Sequence, residues 1–197
     1  MAVRAFVALE LSPQLKAGIL RAAETLERRG VRASWSRRAT LHLTLKFIGD
    51  VDEADLPDVV DAVGRAASGN RRFSFVARGA GAFPSPQRPR VIWIGVVPSD
   101  ALFDLQGDVE RELAAVGVPR EERRWSPHIT VGRVRDARTA GDLAGALATL
   151  RCPEDTVAVE EVLLMRSVLS PSGAIHEAIA RFPLATAGPD GRAEHNG

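Results

Sequence analysis

Leu41-His42-Leu43-Thr44-Leu45-Lys46-Phe47-Ile48 alternates along its length, and its His-x-Thr centre returns as His128-Ile129-Thr130-Val131. In a β-strand residues i and i+2 point to the same face. Strict alternation therefore puts Leu41, Leu43, Leu45 and Phe47 into a core, and His42, Thr44, Lys46 and Ile48 on the opposite face. The second copy places His128 and Thr130 together in the same way. A lone histidine on a strand is more often structural than reactive. The recurrence of His with Thr at matching points of the chain changes that balance.

Around these strands the chain reads as a repeated order of elements. Val3 to Leu9 reads as a buried strand, and Ser12-Pro13 as an N-cap with proline at the first helical position. Leu15, Ile19, Ala22 and Leu26 carry a helix to about Arg29, stopped by Gly30. The His42 strand, Leu41 to Ile48, is followed by a helix through Leu56, Val59, Val60 and Val63. Strands Phe73 to Arg78 and Arg90 to Val97 come next, joined by the turn Phe83-Pro84-Ser85-Pro86-Gln87-Arg88-Pro89. The order then begins again: a helix from Asp100, the His128 strand, a helix with Leu143, Leu147 and Leu150, and strands Thr156 to Met165 and Ala174 to Arg181. Histidines 42 and 128 lie 86 residues apart, and prolines 86 and 171 lie 85 apart.

This spacing predicts an α+β fold of two pseudo-symmetric lobes, each an antiparallel sheet backed by helices. A central cleft carries the two His-x-Thr strands. Residues 1–185 form one bilobal domain with an internal repeat over roughly 12–97 and 99–184, and residues 186–197 read as a disordered tail.

Composition excludes several classes. The 26 basic and 25 acidic residues leave a net charge of +1, so no strong overall field attracts long nucleic acid. Cys152 stands alone, which removes intramolecular disulfides and thiolate zinc sites, and no stretch has the length and apolarity of a membrane span. Two histidines with two threonines are poor metal ligands, and neither H-x-H nor H-E-x-x-H occurs. The expectation is a cytoplasmic protein, monomeric because both lobes lie in one chain, with no metal, no cofactor and no obligate protein partner.

Leu41-His42-Leu43-Thr44-Leu45-Lys46-Phe47-Ile48-Gly49 and Trp125-Ser126-Pro127-His128-Ile129-Thr130-Val131-Gly132-Arg133 resemble the two signatures of the 2H phosphoesterases. Within them the chain is most similar to the RNA 2′,3′-cyclic phosphodiesterases, once described as 2′-5′ RNA ligases. The likeness extends to Arg4-Ala5-Phe6-Val7-Ala8-Leu9, to Phe83-Pro84-Ser85-Pro86 through Gly95, and to Arg181-Phe182-Pro183-Leu184. The resemblance implies hydrolysis of a terminal 2′,3′-cyclic phosphate on RNA, tRNA fragments among the candidates, to a 2′-phosphomonoester. It implies His42 as proton donor, His128 as proton acceptor, and Thr44, Thr130 and Arg133 as substrate-binding residues. Reversal by the same acid and base gives 2′-5′ ligation as a side activity. The alternatives are a non-catalytic module binding nucleotides or RNA ends, and a 2H phosphoesterase for another cyclic nucleotide.

Arg133 poses a geometric problem, because its odd offset from His128 turns it away on an ideal strand; a bulge at Gly132 turns it back. Lys46 has the parity of a phosphate-steering residue. Trp35, Trp93 and Trp125 can stack a nucleobase, but each lies beside a strand, where packing is the commoner use. His176 and His195 have no partner in the pattern, and His195 lies in the tail.

Overall fold

The computed structural model describes residues 2–136, 138, 140–170 and 173–186. Its elements are β1 (Ala2–Leu9), α1 (Pro13–Arg28), β2 (Ser34–Trp35), a 3-10 turn (Arg38–Thr40), β3 (Leu43–Asp52), α2 (Leu56–Ser68), β4 (Phe73–Phe83) and β5 (Val91–Val96). There follow α3 (Asp100–Ala115), β6 (His128–Arg133), α4 (Leu143–Ala148), β7 (Asp155–Val159), β8 (Glu161–Ser170) and β9 (Gly173–Pro183). The strands build two antiparallel sheets, ordered β3-β1-β8-β9 and β2-β6-β5-β4-β7. The α+β architecture of two lobes is the one the sequence predicts.

The lobes are not the two halves of the chain. β8 and β9, from the second half, complete the sheet begun by β1 and β3, while β4 and β5, from the first half, pair beside β6. The helices cross over as well: α1 packs against β6, and α3 against β3. One apolar core consequently runs through both sheets, with Leu9, Leu43, Val63, Leu105 and Leu164 buried on one side and Ile94, Ile129 and Leu143 on the other.

α1 forms where its spacing predicts. Ser12 accepts a hydrogen bond from Leu15 N at 2.9 Å, Pro13 opens the helix, and Leu15, Ile19, Ala22 and Leu26 are buried. The helix ends where Gly30 takes φ +86°, a conformation that costs glycine nothing.

Three strand boundaries differ from expectation. The apolar run 156–165 reads as one strand, yet β7 pairs with β4 in one sheet and β8 with β1 in the other. Burial alternates in β7 (Val157, Val159) and becomes continuous in β8 (Val162, Leu163, Leu164), and the chain passes between sheets where the pattern changes. β4 runs five residues beyond Arg78, because Gly79 (φ +78°) absorbs a bulge and the strand resumes. β3 begins at Leu43 and extends to Asp52, leaving His42 in the segment just ahead of it. Pro171 and residues 187–197, His195 and the expected tail among them, lie outside the described residues.

Candidate active site

β1 meets β3 with two irregularities, and these decide which side chains of the first motif are available. The pairs are Ala8 with Thr44, Val7 with Lys46, Phe6 with Phe47 and Ala5 with Gly49, so Leu45 and Ile48 are each inserted into the ladder. A bulge reverses the alternation beyond it. Lys46 therefore turns inward, where it is 6% exposed, and Phe47 turns outward, where it is 67% exposed. Strict alternation assigns both residues to the wrong face. Lys46 does not steer phosphate: its ammonium donates to Glu110 Oε2 at 2.8 Å and to the Pro119 carbonyl at 2.7 Å, pinning the chain between α3 and β6.

The second motif is bulged too, to opposite effect. Gly95 pairs with His128, Trp93 with Thr130 and Val91 with Arg133, with Val131 as the inserted residue. Paired residues share a face, and Val91, Trp93 and Gly95 alternate regularly. His128, Thr130 and Arg133 consequently lie on one face of the sheet. The bulge the sequence calls for exists one residue earlier than Gly132, and the exposed Arg133 has no acidic partner among the described residues. Gly132 has another task. A Cβ there would lie 2.8 Å from Trp35 Cε3, so its hydrogen lets the Trp35 ring pack against β6.

Three hydrogen bonds tie the motifs to the segments leading into one another. Trp125, three residues before His128, donates its indole N–H to the Thr44 carbonyl at 3.2 Å. Ser36, six residues before His42, donates its hydroxyl to the Thr130 carbonyl at 2.9 Å and its amide to the Val131 carbonyl at 2.8 Å. β3 and β6 are in contact as a result, although they belong to different sheets. Thr44 and Thr130 are half-buried, and neither hydroxyl has a hydrogen-bond partner among the described residues.

His128 is fixed by a carbonyl two residues upstream. His128 Nδ1 lies 2.7 Å from Ser126 O. A carbonyl only accepts, so Nδ1 carries the proton and Nε2 is left for chemistry. The Thr40 backbone, likewise two residues upstream, favours the charged form of His42. Each imidazole also rests against a phenylalanine: His128 stands edge-on to Phe83 at 5.0 Å, and His42 lies 4.8 Å from Phe6. Burial pushes the His42 pKa from 6.5 to about 4, and the neighbouring His176 pushes in the same direction. His42 is therefore neutral in the empty site at pH 7.

The tryptophans serve packing. Trp93 lies 5.2 Å from Phe83 and over Gly81, Trp125 stands edge-on to Phe103 at 5.7 Å, and Trp35 covers Gly132. A cavity of about 680 Å³ lies between α1 and residues 149–155, and none of its lining residues belongs to either motif. His176 is a neighbour of His42 that sequence reasoning missed. Only the β8–β9 register brings it to His42, and no spacing in the sequence encodes that register.

The description "LigT like Phosphoesterase" belongs to a family model that matches this chain twice, over residues 9–93 and 94–176. The chain belongs to the LigT-like phosphoesterase family. Among the relatives of this LigT-like chain is the RNA 2′,3′-cyclic phosphodiesterase of Methanothermobacter thermautotrophicus, 37% identical over 93% of this chain and 100% of the relative. The enzyme of the same name from Thermotoga maritima is 32% identical over 90% and 93% of the two chains. Among solved structures, TT0787 of Thermus thermophilus superposes with a TM-score of 0.75 at 26% identity, covering 94% of this chain and 100% of that one. Escherichia coli LigT complexed with 3′-AMP gives 0.74 at 24% identity, over 94% and 99%, a likeness of fold.

Proposed function

We propose that the protein hydrolyses a terminal 2′,3′-cyclic phosphate on RNA to a 2′-phosphomonoester, by acid–base catalysis between two histidines and without a metal. The observation that carries this reading is the pair of imidazoles, each resting against a phenylalanine and each accompanied by a threonine hydroxyl on the same motif that has no partner among the described residues. The names of the relatives support the same substrate class.

His128 accepts a proton from the attacking water through Nε2, and its Nδ1–H bond to Ser126 O strengthens as the ring becomes charged. His42 donates a proton to the departing 3′-oxygen. Thr44 and Thr130 donate to the non-bridging phosphate oxygens, where charge concentrates, and Arg133 offsets that charge. The proton on His42 arrives with the substrate. The phosphodiester is an anion, and an opposite charge beside a buried imidazole raises its pKa. An empty site with neutral His42 thus becomes, on binding, a site able to donate. With a 5′-hydroxyl in place of water, the same transfers form the bond from its oxygen to phosphorus as the 3′-oxygen leaves, which joins the two ends through a 2′-5′ linkage.

The test is incubation of a short RNA ending in a 2′,3′-cyclic phosphate with the protein in EDTA, with the phosphorus of the product read by NMR. A 2′-phosphate supports the reading. Binding without turnover replaces it with a binding module. Turnover of a different cyclic nucleotide alone keeps the chemistry and changes the substrate.

A further inference from the structure

β9 carries a histidine that the mechanism above leaves unused. His176 pairs across the ladder with Ser167 of β8, and its ring stands edge-on to His42, with centroids 5.2 Å apart and planes at 65°. Both imidazoles touch Phe6, at 5.0 Å for His176 and 4.8 Å for His42. The three rings close a triangle in which every pair is in contact. Phe6 is 3% exposed in the middle of a sheet, so one corner of the triangle is rigid. His176 belongs to β9, which pairs with β8 along its length, so a second corner is anchored as well. His42 sits in the short segment ahead of β3 and depends on its neighbours for its orientation.

Packing alone gives a poor account of a histidine at this corner. Nδ1 of His176 is buried and has no hydrogen-bond partner among the described residues. A phenyl or aliphatic side chain fills the same space without that cost. We propose that His176 is a positioning residue for His42, holding the His42 ring by its edge contact against Phe6. The proposal rests on the reading of His42 as the catalytic imidazole.

The other charges facing His42 offset one another. Glu10, just after β1, raises its pKa, Lys16 on α1 lowers it, and the two are hydrogen-bonded to each other. Among the neighbouring charged groups His176 exerts the largest effect on His42, second only to burial. Two imidazoles in contact resist double protonation, because like charges at that distance repel. Substrate relieves the conflict by bringing a negative charge to the pair.

The experiment is an NMR titration of the histidine rings in the substrate-free protein and in His176→Asn and His176→Phe. The His42 signal is assigned with His42→Gln. In the wild type His42 titrates at about 4. Both replacements remove the repelling charge, so the His42 midpoint moves upward in both. Kinetics separate the edge contact from the charge. His176→Asn lowers kcat on the order of tenfold with KM little changed, the cost of a loosened ring. His176→Phe keeps the edge and recovers most of kcat, while its pH profile stays displaced. An unchanged His42 midpoint and unchanged kcat in both folded variants overturn the proposal. A displaced midpoint in a protein that hydrolyses no cyclic phosphate upholds the coupling and overturns the proposed function.

Discussion

Lys46→Met separates a structural lysine from a phosphate-binding one. In the native protein the Lys46 side chain is 5% exposed and that of Glu110 is 15% exposed, with 2.8 Å between Nζ and Oε2. Removing one partner of such a pair leaves the other charge desolvated, at a cost of about 3–5 kcal/mol. Glu110 keeps two long hydrogen bonds, from Gln106 Nε2 and the Glu121 amide, both at 3.4 Å. The Pro119 carbonyl loses its 2.7 Å donor at the same time. The retained bonds and residual solvent access place the expected loss at the lower end, about 3 kcal/mol. For a chain of this size that lowers Tm by about 6–12 °C. Urea unfolding at pH 7 and a thermal scan measure the loss, and kcat/KM at 20 °C on a cyclic-phosphate RNA measures the chemistry. The folded variant retains kcat/KM within about tenfold, since Lys46 faces away from the motif threonines and its loss reaches them only by loosening the chain before β6. Adding Glu110→Leu to Lys46→Met restores part of the stability, because no buried charge is then left alone. A stability loss under about 1 kcal/mol, the value of an exposed pair, together with a fall in kcat/KM of about 10²-fold or more, refutes the inward placement of Lys46.

Two further outcomes follow from the same geometry. Because the folded state holds His42 at a pKa of about 4 against 6.5, it binds fewer protons than the unfolded chain between those values. Stability from this group is present above pH 6.5 and is lost as the pH falls toward 4, by on the order of 3 kcal/mol; the difference in urea midpoint between wild type and His42→Gln across that window measures it, and a difference independent of pH contradicts it. In Gly81→Ala the new Cβ meets Trp93 Cζ2 at 2.3 Å, so the indole must move against Phe83. The expected cost is about 1–3 kcal/mol with an altered tryptophan emission, and an unaltered thermal midpoint shows that the ring has room.

Most of the elements and the class of fold are legible in the sequence because they rest on local periodicity. α1 is encoded by Ser12, Pro13, the Leu15 to Leu26 spacing and Gly30. The His-x-Thr pairs are legible because each pair spans two residues of a strand. What spacing does not encode is register. The insertions at Leu45 and Val131 exchange faces beyond them, which buries Lys46, exposes Phe47 and brings Arg133 into line with Thr130. The joining of the β8–β9 hairpin to β1 and the meeting of His176 with His42 depend on pairings more than a hundred residues apart in the chain, such as Phe6 with Met165. Those are settled by tertiary packing, where a one-residue slip moves a whole set of side chains. The 156–165 run does carry a signal, the change near Glu160 from alternating to consecutive buried positions, which a reading of apolar content alone passes over.

The most direct measurement is turnover of one RNA 2′,3′-cyclic phosphate by the wild type, His42→Ala and His128→Ala, in EDTA and with folding checked by circular dichroism. The account predicts a 2′-phosphate product from the wild type and a loss of about 10²–10⁴-fold in each variant, the contribution of one proton transfer. Wild-type rates in either folded variant, or a wild type inactive until a divalent metal is added, contradict it.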